Sequence, residues 1–120
     1  MLIELTIALI LGIIVGTLTG LFPGIHINLV STFLLSASPI LLTITTPISL
    51  VIFIVSLSIT HTFIDFIPSI FLGAPEEDSF LSVLPGHQLL KEGRGFEAVV
   101  LTLYGGMVAL PIILIFGIVF

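Results

Sequence analysis

His61 and Asp65, in the stretch SITHTFIDFIPS at residues 58–69, have the types and spacing to do chemistry. Four apart, they share one face of a helix. An imidazole and a carboxylate so placed could relay a proton or hold a cation. An ionisable group at membrane depth is a functional candidate, because burying it unpaired is costly. Thr62 flanks that face, and Pro68 loosens the backbone just beyond it. The plain alternative sets Asp65 near a membrane surface, hydrated and without a role.

GLFPGIH, residues 20–26, is the second candidate. Pro23 lacks an N–H and Gly24 permits unusual dihedrals, so a helix breaks there. The helix that follows starts with unpaired N–H groups, which together with the helix dipole attract anions. His26 and Asn28 fall in its first turn and add donors, and Ser31 follows one turn later. Transporters use broken helices in this way near the membrane midplane. The plain alternative is a surface turn between two spans, with His26 an interfacial residue.

Two further stretches carry polar chemistry. GAPEEDS at residues 73–79 has three adjacent acids. Ca²⁺ usually takes six or more spaced oxygens, so a solvated connector or a helix start suits this run better. Pro85-Gly86-His87 echoes the order Pro23-Gly24-Ile25-His26. HExxH, GxSxG and a phosphate loop are all absent. We therefore assign no catalytic residue and no metal site.

The elements that must position these residues are helices in lipid. Mean hydropathy is +1.43. Hydrophobic residues make up 58% of the chain and charged residues 8%. No charge occurs from Leu5 to Ile64 or after Glu97. A span needs about 20 mostly apolar residues, so such runs cross a bilayer more than once. A soluble domain of 120 residues would need more polar surface than this. Two basic residues exclude a nucleic-acid role. Cysteine is absent, which excludes disulfides and thiolate metal sites. The start has no basic n-region, so it reads as a retained span rather than a cleaved leader.

We expect an all-α integral membrane protein in which the lipid bilayer is the main partner. The expected spans are 2–22, 25–45, 48–72 and 96–120, with a polar connector at 73–95. Gly12, Gly16 and Gly20 share one face of the first span, which predicts close packing against another helix. The second segment holds Ser31, Thr32, Ser36, Ser38 and Thr43, with Pro39 inside it. It reads either as a kinked span or as a hairpin that re-enters on one side. Barrel-type alternation is absent. Lys91 and Arg94 place the connector in the cytoplasm by the positive-inside rule. The last segment stops inside an apolar run, so the chain is expected to be the N-terminal part of a larger protein.

Taken together, GIIVGTLTGLFPGIH at 12–26 and GAPEEDSFLSVLPGHQLLKEGRGFEA at 73–98 make the chain similar to a known family. It resembles the N-terminal portion of the large permease subunit of the tripartite tricarboxylate transporters. The match is strongest at Gly20, Pro23, Gly24, Gly73, Pro75, Gly86, Gly93 and Ala98. It departs at Pro85-Gly86-His87, where the family carries Asp-Gly-Tyr, so the chain looks like a divergent branch. The resemblance implies a permease in the plasma membrane of a prokaryote. It implies uptake of carboxylate-type organic anions driven by an ion gradient. It implies two partners, a small membrane subunit and an extracytoplasmic solute-binding protein. On this basis Gly24, His26, Asn28 and Ser31 are candidates for one half of a substrate site. Pro75, Gly86 and His87 are candidates for the other. His61 and Asp65 are candidate residues for a coupling ion, Na⁺ or H⁺, and no other cofactor is expected.

Two rival functions remain beside it. A structural or assembly subunit would use the Gly12, Gly16, Gly20 face to dock a partner helix. A membrane-embedded enzyme would use His61 and Asp65, with Ser58 or Thr60 nearby as nucleophile.

Overall fold

The computed structural model describes residues 1–73 and 80–119. Every regular element among them is helical. In chain order these are α1 (Leu2–Leu21), α2 (Ile27–Leu41), α3 (Pro47–Ile64), α4 (Phe66–Leu72), α5 (Phe80–Lys91) and α6 (Gly95–Val119). Three stretches are long and apolar enough to cross a membrane, namely Leu2–Leu21, Pro47–Leu72 and Gly95–Val119. The chain divides into two compact units, Met1–Pro68 and Ser69–Phe120.

In the first unit α1 packs along α3 through its glycines. Gly12, Gly16 and Gly20 are all buried. A Cβ on Gly12 would stand 2.6 Å from the Phe53 carbonyl oxygen, and one on Gly16 2.5 Å from that of Leu57. On Gly20 it would meet the His61 carbonyl at 2.9 Å. Hydrogen in place of a side chain lets the two backbones touch, which is how helices gain contact without a hydrophobic drive in lipid. The glycine face expected from the sequence is thus real, and α3 of the same chain fills it.

The order of these contacts fixes the topology. Gly12 meets Phe53, Gly16 meets Leu57 and Gly20 meets His61, so α1 and α3 run parallel. At their shared starting end the Glu4 carboxylate accepts from Thr45 Oγ1 at 3.1 Å. It also accepts from the Thr46 N–H and Thr46 Oγ1, each at 3.2 Å. Residues 22–46 must therefore carry the chain back from one end of the pair to the other. Within 25–45 the structure forms one helix, apolar but below membrane-spanning length. α2 has 15 residues against 20 in α1, about 22 Å against 30 Å. The turns on either side supply the remainder.

Local chemistry sets the helix ends. Phe22-Pro23-Gly24-Ile25 closes with the Ile25 N–H on the Phe22 carbonyl at 3.3 Å. Proline in the second position and Gly24 at φ 86° make this a type II turn, which needs glycine there. Thr46 caps α3, its Oγ1 accepting from the Ser49 N–H at 3.4 Å, and Pro47 takes the first helical position. Inside α2, Pro39 cannot bond the Leu35 carbonyl. Ser38 Oγ donates to it instead at 2.7 Å.

In the second unit α5 packs on α6. α5 ends with Gly93 N–H on the Leu90 carbonyl at 2.9 Å and Arg94 N–H on that of Leu89 at 2.8 Å. Gly93 at φ 78° makes this a Schellman stop. A Cβ on Gly86 would stand 3.0 Å from Ile70 Cγ1 and 3.8 Å from the Ala98 Cβ. Ile70 and Ala98 are buried beside it. The sequence reading treats 73–95 as a polar connector in which Pro85-Gly86-His87 echoes the break at 23–26. The structure instead carries Pro85, Gly86 and His87 inside α5. Gly86 lies where a side chain would press on Ile70, within a helix and not at a turn.

Candidate functional site

The break at 22–26 leaves α1 just after Gly20, which contacts His61 and Ile64. The first unit therefore gathers the Pro-Gly turn, His61 and the end of α3 at one end of the α1–α3 pair. Gly24 is exposed, with no heavy atom within 4 Å of where its Cβ would stand. Its role is conformational, and the space around it is open.

His26 is the N-cap of α2, in extended backbone at φ −79° and ψ 143°. Its carbonyl accepts from the Leu29 N–H at 3.0 Å and the Val30 N–H at 3.3 Å. The ring is exposed. Asn28 and Ser31 are exposed on the first turns that follow. The Asn28 carbonyl accepts from Thr32 Oγ1 at 2.8 Å. Its side-chain amide and the Ser31 hydroxyl take no hydrogen bond from the described residues. An exposed amide, a hydroxyl and the positive end of a helix stand together, a set of donors suited to a carboxylate.

His61 sits deeper. It is 1% exposed, held where α1 crosses α3. Its Nδ1 lies 2.9 Å from Thr19 Oγ1. Thr19 also reaches the Val15 carbonyl at 2.9 Å and that of Gly16 at 3.3 Å. Asp65 caps the C-terminus of α3, its N–H donating to the His61 carbonyl at 2.9 Å. Spacing alone placed His61 and Asp65 on one face. The helix ends between them at Ile64, so His61 lies within α3 and Asp65 at its exit.

The second half of the expected site lies in the other unit. His87 is half-buried, with Nδ1 3.1 Å from the Ile70 carbonyl. The carbonyl accepts, so Nδ1 carries the proton. This bond satisfies one of the orphan carbonyls at the end of α4. The His87 ring also lies within 3.1 Å of where a Cβ on Gly73 would stand. Gly73 takes φ 63°, so the ring fills the space a side chain would need. Pro75 and the acids Glu76, Glu77 and Asp78 lie outside the described residues. Before α6, Arg94 donates to Glu97 at 2.6 and 2.8 Å and to Glu92 at 3.3 Å. Glu97 first, then Glu92, raises the guanidinium pKa above its ordinary value. Among the described residues no group of three or more His, Asp or Glu could hold a metal ion.

Three polar arrangements escaped the sequence reading. Thr19 is the partner of His61, Glu4 joins the starts of α1 and α3, and Ser38 supports Pro39. A signal existed only for the last, since a hydroxyl beside a proline is the usual source of a replacement donor.

A curated relative, an uncharacterized protein of Methanocaldococcus jannaschii, is 47% identical over 97 residues. That alignment covers 81% of this chain and 23% of the relative, so the chain spans about a quarter of the relative's length. No solved structure matches the chain. The family model of the tripartite tricarboxylate transporter TctA family matches residues 6–120, from the middle of the first turns of α1 to the final residue. The chain has three helices long and apolar enough to cross a membrane, and it belongs to the tripartite tricarboxylate transporter TctA family.

Proposed function

We propose that this chain forms part of a secondary transporter that takes up carboxylate-bearing organic anions across a prokaryotic plasma membrane. The observation that carries this is the start of α2. A type II turn fixed by Gly24 ends α1, and the next helix presents the Asn28 amide and the Ser31 hydroxyl to open space beside its positive end. A carboxylate gains both donors and the helix field there, roughly 0.3–1 kcal/mol from the field alone.

An ion gradient supplies the drive in this reading. His61, buried against Thr19 at the same end of the unit, is the group we assign to H⁺ or Na⁺ coupling, with Asp65 at the helix exit. Family membership supports two partners, a small membrane subunit and an extracytoplasmic solute-binding protein. It also supports a transport role over a catalytic one. The assembly-subunit alternative loses its docking face, because α3 occupies Gly12, Gly16 and Gly20.

The test is uptake of labelled di- and tricarboxylates into proteoliposomes holding the native full-length product. Imposed Na⁺ and proton gradients are varied, with a binding protein added. Gradient-dependent uptake supports the proposal. No uptake of any carboxylate by folded, inserted protein overturns it.

A further inference from the structure

α2 is two-faced in a way that α1, α3 and α6 are not. At 100° per residue, Asn28, Ser31, Thr32 and Ser36 fall within an arc of about 140°, and all four are exposed. Leu35 and Pro39 share that arc and are exposed as well, so the face is mostly rather than wholly polar. Val30, Leu34, Ala37 and Leu41 fall within about 60° on the opposite side, and all four are half-buried. The packed face and the polar face therefore point in opposite directions. Leu29 and Phe33 lie between them, exposed and apolar, as lipid-facing residues should.

Some of these hydroxyls are at home in lipid. Thr32 Oγ1 donates to the Asn28 carbonyl at 2.8 Å and Ser36 Oγ to that of Thr32 at 2.9 Å. Back-bonding of this kind lets serine and threonine face hydrocarbon. It does not serve Asn28, whose amide brings two donors and an acceptor. Nor does it account for one-sidedness. Hydroxyls that are merely tolerated need not gather opposite the packed face. Orphan polar groups in hydrocarbon are costly, and they persist where water reaches them or where further protein covers them.

The arc also has depth. Ser36 lies eight residues beyond Asn28, about 12 Å along the axis, which is close to half of a hydrocarbon core. α2 has no charged residue, so nothing on it repels an anion. Its polar groups are an amide and hydroxyls, which can donate to a carboxylate at successive turns.

We propose that the Asn28–Ser31–Thr32–Ser36 face of α2 is one wall of a water-filled path, along which the organic anion moves from the break toward the membrane centre. The path deepens the transport reading above and rests on it for the identity of the solute.

The chain has no cysteine, so single cysteines report cleanly. Asn28→Cys, Thr32→Cys and Ser36→Cys test the polar arc, and Leu29→Cys and Phe33→Cys test the lipid arc. Each is placed in the full-length protein with no other cysteine and treated in proteoliposomes with a charged, membrane-impermeant thiol reagent. Labelling after denaturation in detergent checks that every variant is present. Cysteines on the polar arc should label, and those at 29 and 33 should label about tenfold or more slowly, since a thiol in hydrocarbon stays protonated. Labelling at 28 with none at 32 and 36 overturns the path. So does labelling at 29 and 33 equal to that on the arc. Repeating the reaction with the carboxylate panel separates the two claims. A labelled arc that no carboxylate protects keeps the path and removes the assigned solute.

Discussion

Thr19 Oγ1 of α1 lies 2.9 Å from His61 Nδ1 of α3, at a point where His61 is 1% exposed. The hydroxyl has one proton, claimed most closely by the Val15 carbonyl and His61 Nδ1. It donates to the Val15 carbonyl and accepts from Nδ1–H, or it donates to Nδ1 and leaves the carbonyl. The position of the imidazole proton is thus tied to the contact between two helices. Thr19→Val keeps the shape and removes the hydroxyl. It should destabilise the protein by about 1–3 kcal/mol, the usual result of stranding a buried polar atom. Thr19→Ser should restore most of this. Thermal unfolding in detergent measures both, and equal melting of the valine and serine variants would contradict the assignment.

Gly16 and Gly24 predict opposite kinds of damage. A Cβ at Gly16 would come within 2.5 Å of the Leu57 carbonyl oxygen, so α1 and α3 must part. Gly16→Val should cost about 1–3 kcal/mol or more through overpacking. Gly24 has open space but φ 86°. Gly24→Ala should cost about 1–2 kcal/mol through the left-handed backbone alone. Crosslinking between α1 and α3 tells them apart, since it should fail in the first variant and survive in the second.

Ser38 and Pro39 should behave as a coupled pair. Ser38→Ala leaves the Leu35 carbonyl without its donor, at about 1 kcal/mol. Pro39→Ala supplies a backbone N–H for that same carbonyl. In the Pro39→Ala background, loss of the serine hydroxyl should therefore be nearly neutral. A double-mutant cycle on unfolding reads the coupling, and additive effects would rule it out.

His26→Ala and Asn28→Ala should lower uptake while leaving insertion and melting unchanged, because both side chains are exposed and Asn28 takes no side-chain bond from the described residues. The loss should fall on apparent substrate affinity. Unaltered kinetics in both variants would remove these residues from the site.

Glu4→Ala should loosen the opposite end of the pair. It deletes the acceptor for Thr45, the Thr46 N–H and Thr46 Oγ1 together. Glu4→Gln keeps an acceptor oxygen but not the charge facing the start of α3, so it should fall between wild type and alanine. Hydrogen exchange at the first turn of α3 is the direct readout.

The sequence made part of this visible. Three glycines at steps of four name a packing face, because the helical period is fixed, and that face is buried as expected. Which helix fills it depends on a partner some 40 residues away, and no local pattern carries that. The same distance hid the bond from Glu4 to Thr45 and that from Thr19 to His61. Pro23-Gly24 was legible because proline and a positive-φ glycine make one turn type. Pro85-Gly86 carries the same letters yet lies in a helix, since packing against Ile70 and Ala98 decided the conformation there. Punctuating residues report local preference, and tertiary contact overrode it in one of the two places.

The parallel run of α1 and α3 bears on how the protein enters the membrane during synthesis. A parallel pair with a single return between them obliges the insertion machinery to pass α2 across in the opposite sense. α2 is the shortest of these three helices and presents hydroxyls and an amide on one face, so it has less apolar length to hold it in lipid than α1 or α3. α1 leaves the ribosome before α2, but the glycine face that holds α1 is completed only by α3. On this packing, commitment of α2 is expected to wait for residues that are translated after it. The expected outcome is insertion concerted over the first 64 residues, so that a ribosome stalled before α3 emerges leaves α2 extractable by alkali.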